Sequence, residues 1–224
     1  MIDVSVLITC YNKEKYLDDC VTSVLRQTKP PKEIIIVHDQ CSEPMHHAEA
    51  TTIMLKANLG VCRARQEAFR FSTGKHILFL DGDDMISPDY LEKMRLAVAN
   101  DKAISYPDIY FFGDAAPSLS TTPDKLEPKT VQELNKIPIP VTSLMSREIY
   151  EELGGFKDFP VLEDFDFWLR AMAKGYEFRK AQTLFWYRQE GMKRNAIDVA
   201  KKKRIIAEIM AQFTITDNII KKND

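Results

Sequence analysis

The densest acidic cluster of the chain, Asp81-Gly82-Asp83-Asp84, directly follows an apolar run at residues 77–80. If that run is a strand, Asp81 and Asp83 project to one face and Asp84 to the other, because strand side chains alternate. Two carboxylates in one partly dry spot are costly, so one keeps its proton or a divalent cation sits with them. Oxygen-only ligation favours Mg2+ or Mn2+, and such an ion completes its shell with water and phosphate oxygens, which points to a nucleoside diphosphate. An isolated Asp-x-Asp is more often a solvated acidic turn. The buried run in front of this one reverses that preference. A second acidic cluster, Glu163-Asp164-Phe165-Asp166, opens a helical pattern, where the helix dipole favours ionised carboxylates; simple capping accounts for it equally well. Thr9, Tyr11-Asn12 and Asp39 follow two further apolar runs.

These residues need elements to position them. Residues 4–10 read as a buried strand, and residues 16–27 carry Leu17, Val21, Val24 and Leu25 at helical spacing. Pro30-Pro31 stops that helix, and residues 33–38 close a β-α-β unit. The pattern repeats, with strands at 51–56 and 76–80 and a helix at 61–71 between them. Ser87-Pro88-Asp89 opens the next helix as N-cap, first-turn proline and first-turn acid. Residues 104–112 read as a strand, and residues 113–129 as one long surface loop. Residues 138–145 are extended, Ser146 caps a short helix ending at Gly154-Gly155, residues 163–174 form another helix, and residues 176–187 supply one or two strands. From Asn195 a last helix places Ile205, Ile206, Ile209, Met210 and Phe213 on one stripe. Alternating β and α elements predict a three-layer α/β/α sandwich with a mostly parallel central sheet, whose ligands bind beyond the carboxyl ends of the strands. Thr9, Tyr11, Asp39, Asp81 and Asp83 then converge on one crevice.

Composition excludes several classes. The 224 residues are 45% hydrophobic and 29% charged, enough for a full core and far from disorder. The net charge is −2, with eight Lys or Arg against four acids in residues 193–224 and 23 against 29 in residues 1–192. That balance argues against a nucleic-acid-coating protein. Nothing approaches the apolar length of a membrane span, and the start, Met-Ile-Asp-Val-Ser-Val, shows no cationic leader, so the expectation is a cytoplasmic address. The basic residues 201–204 beside the apolar stripe fit either peripheral contact with the inner face of an anionic membrane or, preferably, a helix packed on the domain with its lysines in water; a dimer contact is the third option. Cys10, Cys20, Cys41 and Cys62 show no zinc-site spacing and read as reduced, mostly buried thiols. His38, His46, His47 and His76 form no evident constellation, and Trp168 and Trp186 read as core.

The residues then reach a resemblance. Val4-Ser-Val-Leu-Ile-Thr-Cys-Tyr-Asn-Lys, Leu25-Arg-Gln-Thr, Glu33-Ile-Ile-Ile-Val-His-Asp, Asn58-Leu-Gly-Val-Cys-Arg-Ala-Arg, Gly74-Lys-His-Ile-Leu-Phe-Leu-Asp-Gly-Asp-Asp and Gly154-Gly-Phe followed by Glu163-Asp-Phe-Asp resemble, in order and spacing, family 2 glycosyltransferases of the Rossmann-like GT-A fold. The likeness runs from residue 2 to about 190. It implies a GT-A domain over residues 1–192, with residues 193–224 as a basic amphipathic helical extension. It also implies an inverting transfer of a sugar from a nucleotide diphosphate, UDP by preference, to a saccharide or lipid-linked acceptor hydroxyl in surface polysaccharide or glycolipid synthesis. By position, Thr9, Tyr11 and Asp39 would hold the base, Asp81 the ribose side and Asp83 the Mn2+ or Mg2+ ion. Arg65 would add charge stabilisation at the diphosphate, with pairing to Glu67 or solvent as the plain alternative. Asp164 would be the general base, with Glu163 and Asp166 binding the acceptor or capping the helix.

The chain departs from the family pattern twice. Where many relatives read Val-Asp-Asp-Gly-Ser, it has Val37-His38-Asp39-Gln40-Cys41-Ser42, losing the first Asp and the turn glycine while keeping Asp39. Where many carry a histidine after the last core strand, it has Tyr187-Arg188-Gln189-Glu190, making Glu190 an alternative metal ligand and stronger metal dependence or lower activity the expectation. Two rivals remain. A nucleotidyltransferase would need a Gly-rich phosphate loop where Thr9-Cys-Tyr-Asn-Lys stands. A catalytically degenerate domain would bind a sugar nucleotide or partner without turnover.

Overall fold

Strand β1 (Ile2–Cys10) is apolar on both faces, and the computed structural model puts it at the centre of a parallel block. The structure describes residues 1–41, 44–98, 101–128, 130–131, 138–190, 199–216 and 219–223. The expected helix start at Asn195 and the boundary at 192/193 lie outside them.

Beside β1 run β2 (Pro31–Asp39) and β4 (His76–Asp81), both parallel to it, and β3 (Thr51–Leu55) parallel to β2. The crossovers are α1 (Glu14–Leu25) and α2 (Val61–Phe71). The sheet continues through β8 (Leu144–Ser146), β6 (Ala103–Gly113), β9 (Glu177–Gln189) and the short β5 (Met85–Ile86), in the order β3-β2-β1-β4-β8-β6-β9-β5; β7 (Ser118–Ser120) pairs off β6. β8 lies antiparallel to β4 and β6, while β6 and β9 are parallel over most of their length, so the long pairings are parallel ones. Chain order reverses between β1 and β4, the place where an open α/β sheet leaves a crevice.

Both sheet faces are covered. Leu7, Ile35, Val37, Ile77 and Phe79 join one core with residues of α2, α4 (Arg147–Glu152), α5 (Glu163–Ala173) and α6 (Val199–Met210). Val6, Ile8, Ile34, Ile36, Leu78 and Leu80 join the other with α1 and α3 (Tyr90–Ala97). Two-sided burial is why these strands are continuous apolar runs without alternation. At twelve residues α1 would be marginal alone; Leu17, Val21 and Val24 are each at most 1% exposed and contribute roughly 1.5–3 kcal/mol apiece by burial.

Several elements differ from expectation. Ser87-Pro88-Asp89 forms a turn instead of a first helical turn: Ser87 Oγ donates to Asp89 Oδ1, the Pro88 carbonyl accepts from Thr28 N, and α3 starts at Tyr90. The Thr28 bond to Pro88 and the 2.8 Å contact of Ser87 Oγ with Thr183 Oγ1 outweigh the local N-cap. Ser118–Ser120 forms β7 within the stretch expected to be all loop, and of residues 138–145 only the end joins a strand. Phe213 lies outside the last helix, in β10 (Phe213–Ile215), which pairs antiparallel with β11 (Ile220–Lys222). Three alternating residues are too few to reveal such a hairpin. Ile205, Ile209, Phe213 and Ile220 nevertheless pack into the first core, and residues 201–204 are exposed. Among the described residues no helix is long and apolar enough to cross a membrane.

Candidate active site

In register, Thr9 of β1 stands opposite Val37 of β2 and Asp81 of β4, so the three carboxyl ends of the block finish at one level. The crevice there is lined by Thr9, Tyr11, Lys13, Asp39, Gly60, Asp81 and Asp83 among others. Thr9, Tyr11, Asp39, Asp81 and Asp83 are therefore brought together. Gly82 packs closely between the two acids: its N–H donates to the Thr9 carbonyl at 2.9 Å, and an added Cβ would stand 3.1 Å from that oxygen, a tight contact. Asp84 turns the other way and is 2% exposed, accepting from Arg188 N at 2.7 Å. Burial, with Asp81 and Asp83 close by, pushes its carboxyl well above the usual range.

Asp39 is buried, and its two oxygens accept from Leu59 N at 2.7 Å and Gly60 N at 2.9 Å. Gly60 makes that turn at φ +86°, a conformation costly for any side chain. Asp39 thus anchors the loop before α2, with lone pairs left towards the crevice. Gln40 takes φ +61°, so this loop turns through a left-handed residue without a glycine there. Tyr11 is 47% exposed, its ring open to the crevice.

Arg65 is 2% exposed and points inward from α2. Its guanidinium donates to Asp81 Oδ1 at 2.9 Å and to Glu163 Oε1 at 2.6 Å. Neither a free phosphate-facing arginine nor the pairing with Glu67 describes it; Glu67 pairs with Arg70. Glu163 is correspondingly engaged by Arg65. Asp164 Oδ1 accepts from its neighbour Phe165 N at 2.8 Å, and burial together with the Glu163 charge raises its carboxyl to about 6, against the opposing pull of Arg65. Leu162, just before this helix, holds φ +65°. Asp166 is a correction: it neither caps the helix nor faces an acceptor, being fully buried and paired with Arg170 at 2.7 Å and Lys157 at 3.3 Å.

On the outer side, Lys13 Nζ stands 2.9 Å from Asp83 Oδ2 and 2.7 Å from Glu190 Oε2. Lys15 and Tyr16 also donate to Glu190, and these hydrogen bonds hold its carboxyl down to about 2. Glu190 therefore does not stand as bare negative charge beside the crevice. Arg188 Nε donates to the Asp83 carbonyl at 2.8 Å, and the guanidinium lies over the Tyr16 and Phe112 rings. Sequence reasoning misses Lys13, Lys15, Tyr16 and Arg188; the closeness of Lys13 to Tyr11 is the available signal. Cys10, Cys20, Cys41 and Cys62 are free thiols and all but Cys41 are buried, as expected; without ligand spacing in the chain, Cys10, His38 and Cys41 nevertheless bring their ligating atoms together. Trp168 is core, as expected; Trp186 is half-buried beside Tyr110 and Phe112.

Comparison with known proteins bears on the family and the fold. The pattern described as Glycosyl transferase family 2 matches residues 5–154. An uncharacterized glycosyltransferase of Methanocaldococcus jannaschii is 27% identical over 192 residues, covering 78% of this chain and 66% of the relative; YwdF of Bacillus subtilis is 28% identical over 219 residues, covering 91% and 81%. The chain thus spans about two thirds of the first relative's length. The crystal structure of Staphylococcus aureus TarS residues 1–349 with UDP-GlcNAc superposes with TM-score 0.76 at 15% identity, over 97% of this chain and 68% of TarS, a likeness of fold. With the family pattern covering well over half of the residues and a GT-A-like α/β sheet carrying them, this chain belongs to glycosyl transferase family 2.

Proposed function

We propose that this protein transfers a sugar from a nucleoside diphosphate donor to an acceptor hydroxyl with inversion, using Asp164 as general base. The observation that carries the reading is Arg65, which joins Asp81 of the donor crevice to Glu163, the neighbour of Asp164. A single buried side chain thereby couples the crevice to the helix bearing the base. A carboxyl raised to about 6 suits a general base: it is largely ionised at neutral pH, yet more basic than an ordinary aspartate and able to take the acceptor's proton as the new bond forms.

On this reading Tyr11 stacks on the base, Thr9 and Asp39 receive its polar edge and the ribose, and Asp81 stays fixed by Arg65. UDP is the preferred donor nucleotide, supported by TarS, whose structures are with UDP-GlcNAc and UDP. Asp83 and Glu190 fit a hard divalent cation, because both are oxygen donors already converging on one positive charge, the Lys13 ammonium. Mn2+ or Mg2+ would be held there, with Lys13 displaced, and would offset the charge of the departing diphosphate. Surface polysaccharide or glycolipid synthesis is the pathway reading, supported by 36% identity over 105 residues to a putative teichuronic acid biosynthesis glycosyltransferase, TuaG of Bacillus subtilis, although that match covers only 40% of this chain. A cytoplasmic address, with the exposed basic residues 201–204 towards the inner membrane face, belongs to the same reading.

The test is calorimetric titration with UDP, GDP and dTDP, each with Mn2+ and with a chelator, on the wild type and Asp164→Asn. Metal-dependent binding of one nucleotide, retained by Asp164→Asn while transfer is lost, supports the proposal. Binding without transfer in the wild type, across a panel of that nucleotide's sugars, favours the degenerate domain; no binding to a folded sample removes the donor site.

A further inference from the structure

Beneath the donor crevice, on the sheet face covered by α1, three soft or borderline ligands meet. Cys10 ends β1 and stands in register with His38 of β2, so both side chains point to the same layer, and Cys41 follows two residues past the end of β2. The two Sγ atoms and a ring nitrogen of His38 all lie within 4.8 Å of one another. His38 is fully buried. Its Nε2 faces the Met45 carbonyl at 3.0 Å, which fixes the proton on that nitrogen, and Nδ1 has no partner among the described residues. A backbone carbonyl behind one ring nitrogen and a bare lone pair on the other is the arrangement that orients a metal-ligating histidine. Glu14, the first residue of α1, approaches the Cys41 thiol, and its Oε1 is likewise buried without a partner among the described residues.

We infer that Cys10, His38 and Cys41, with Glu14 as fourth ligand, form a zinc site that ties the loop after β2 to the end of β1. Two sulfurs, one imidazole and one carboxylate suit a tetrahedral borderline-soft ion and ill suit Mg2+ or Mn2+. Zinc at about 2.0–2.3 Å from each ligand needs ligand separations of about 3.5–3.8 Å, which the Cys10, His38 and Cys41 ligating atoms, all within 4.8 Å of one another, reach by a shift of about an ångström or less. Burial keeps both thiols protonated in the metal-free chain, so binding releases their protons to solvent as thiolates form. The site is separate from the oxygen ligands Asp83 and Glu190, and its consequence is mechanical: it would pin the backbone carrying Asp39 and Gln40 against that carrying Thr9 and Tyr11.

Chelator-treated, reduced full-length protein titrated with Co2+ and then Zn2+ tests this. One equivalent of Co2+ should give tetrahedral d–d bands and thiolate charge transfer, both erased by one equivalent of Zn2+. Cys41→Ala, at a half-buried position, should weaken binding at least about tenfold with an unchanged circular dichroism spectrum, and Cys62→Ala should leave it unaltered. A folded wild type without these bands overturns the inference. So does a Cys10–Cys41 disulfide that forms readily in air and leaves Co2+ binding undetectable in the re-reduced protein. The bands do not depend on nucleotide, so failure here and failure of the donor reading are distinguishable.

Discussion

Two cations each clasp a pair of chain-distant acids, one on either side of the Asp81-Gly82-Asp83 turn, and they differ in solvent. Arg65, with its side chain 3% exposed, joins Asp81 to Glu163; Lys13, 33% exposed, joins Asp83 to Glu190. The buried clasp makes two short hydrogen bonds from one planar fork whose guanidinium is closed off from solvent. Its Nε is buried without a partner among the described residues, so the site tolerates some desolvation cost to hold this geometry. The exposed clasp rests on a flexible ammonium that water, a phosphate-bound ion or solvent cations can replace. On the proposed reading the first is a strut that holds the base relative to the donor, and the second a charge that can move when the donor arrives and its diphosphate leaves.

Breaking the strut should have the largest effect. Arg65→Met keeps much of the side-chain volume but leaves Glu163, 12% exposed, without its partner, while Asp81, 35% exposed, keeps Thr9 and solvent; the expected loss is about 3 kcal/mol of unfolding free energy, the lower end for a broken buried pair, read from urea denaturation. A loss under about 1 kcal/mol would mean that the two acids find water or protons, and that the clasp is no more a strut than the exposed one.

Next comes the group the strut positions. Asp164→Asn should lower transfer by about 10²–10⁴-fold with nucleotide affinity within a few-fold of wild type. Wild-type transfer should rise as pH passes through about 6 and flatten above it, because the base must be ionised. Stability carries the opposite sign. A carboxyl raised in the folded state favours folding fully below the unfolded value near 3.8 and loses that contribution as pH rises through about 6. Asp164→Asn should therefore be more stable than wild type at pH 8 by a larger margin than at pH 4, and equal margins at both would refute the raised value.

Legibility divides along the same line. Thr9, Asp39, Asp81 and Asp83 can be placed together from the sequence because each ends an apolar run, and parallel strands in such a sheet finish on one side. The clasps cannot: Glu163 lies 98 residues from Arg65, and Glu190 lies 177 from Lys13, and no periodicity links such partners. Asp166 misleads because an acid in a first turn looks like a cap, while its partner Arg170, one helical turn on, carries no sequence sign of being buried. The Cys10–His38–Cys41 meeting depends on the β1–β2 register, which residue spacing alone does not state.

The exposed clasp should be the cheap one to lose. Lys13→Met should change unfolding free energy by no more than about 1 kcal/mol, since its two ion pairs are partly exposed, such pairs are worth little, and Glu190 keeps Lys15 and Tyr16. If Lys13 competes with a divalent cation for Asp83 and Glu190, the Mn2+ concentration giving half-maximal transfer should fall in this variant. A rise instead would make Lys13 a partner of the donor phosphates rather than a placeholder for the ion.

The smallest effect expected concerns how each side of the site is strained. Leu162 at φ +65° leads into α5, which carries Glu163 at the far end of the strut, and Gln40 at φ +61° follows Asp39 on the donor side. A left-handed non-glycine residue costs about 1–2 kcal/mol. At Gln40 part of that is offset, because its Oε1 accepts from Asn58 N at 3.0 Å in an exposed hydrogen bond. Gln40→Gly would relieve the strain, lose that bond and give the unfolded chain more freedom, so the net gain should be at most about 1 kcal/mol, seen as a small rise in urea midpoint. Nucleotide affinity should stay within about twofold, because the Asp39 carboxylate keeps its Leu59 and Gly60 amides. A clear loss of affinity would place Gln40 in the donor site and make its left-handed backbone a feature of recognition, with the donor side then as rigidly built as the strut.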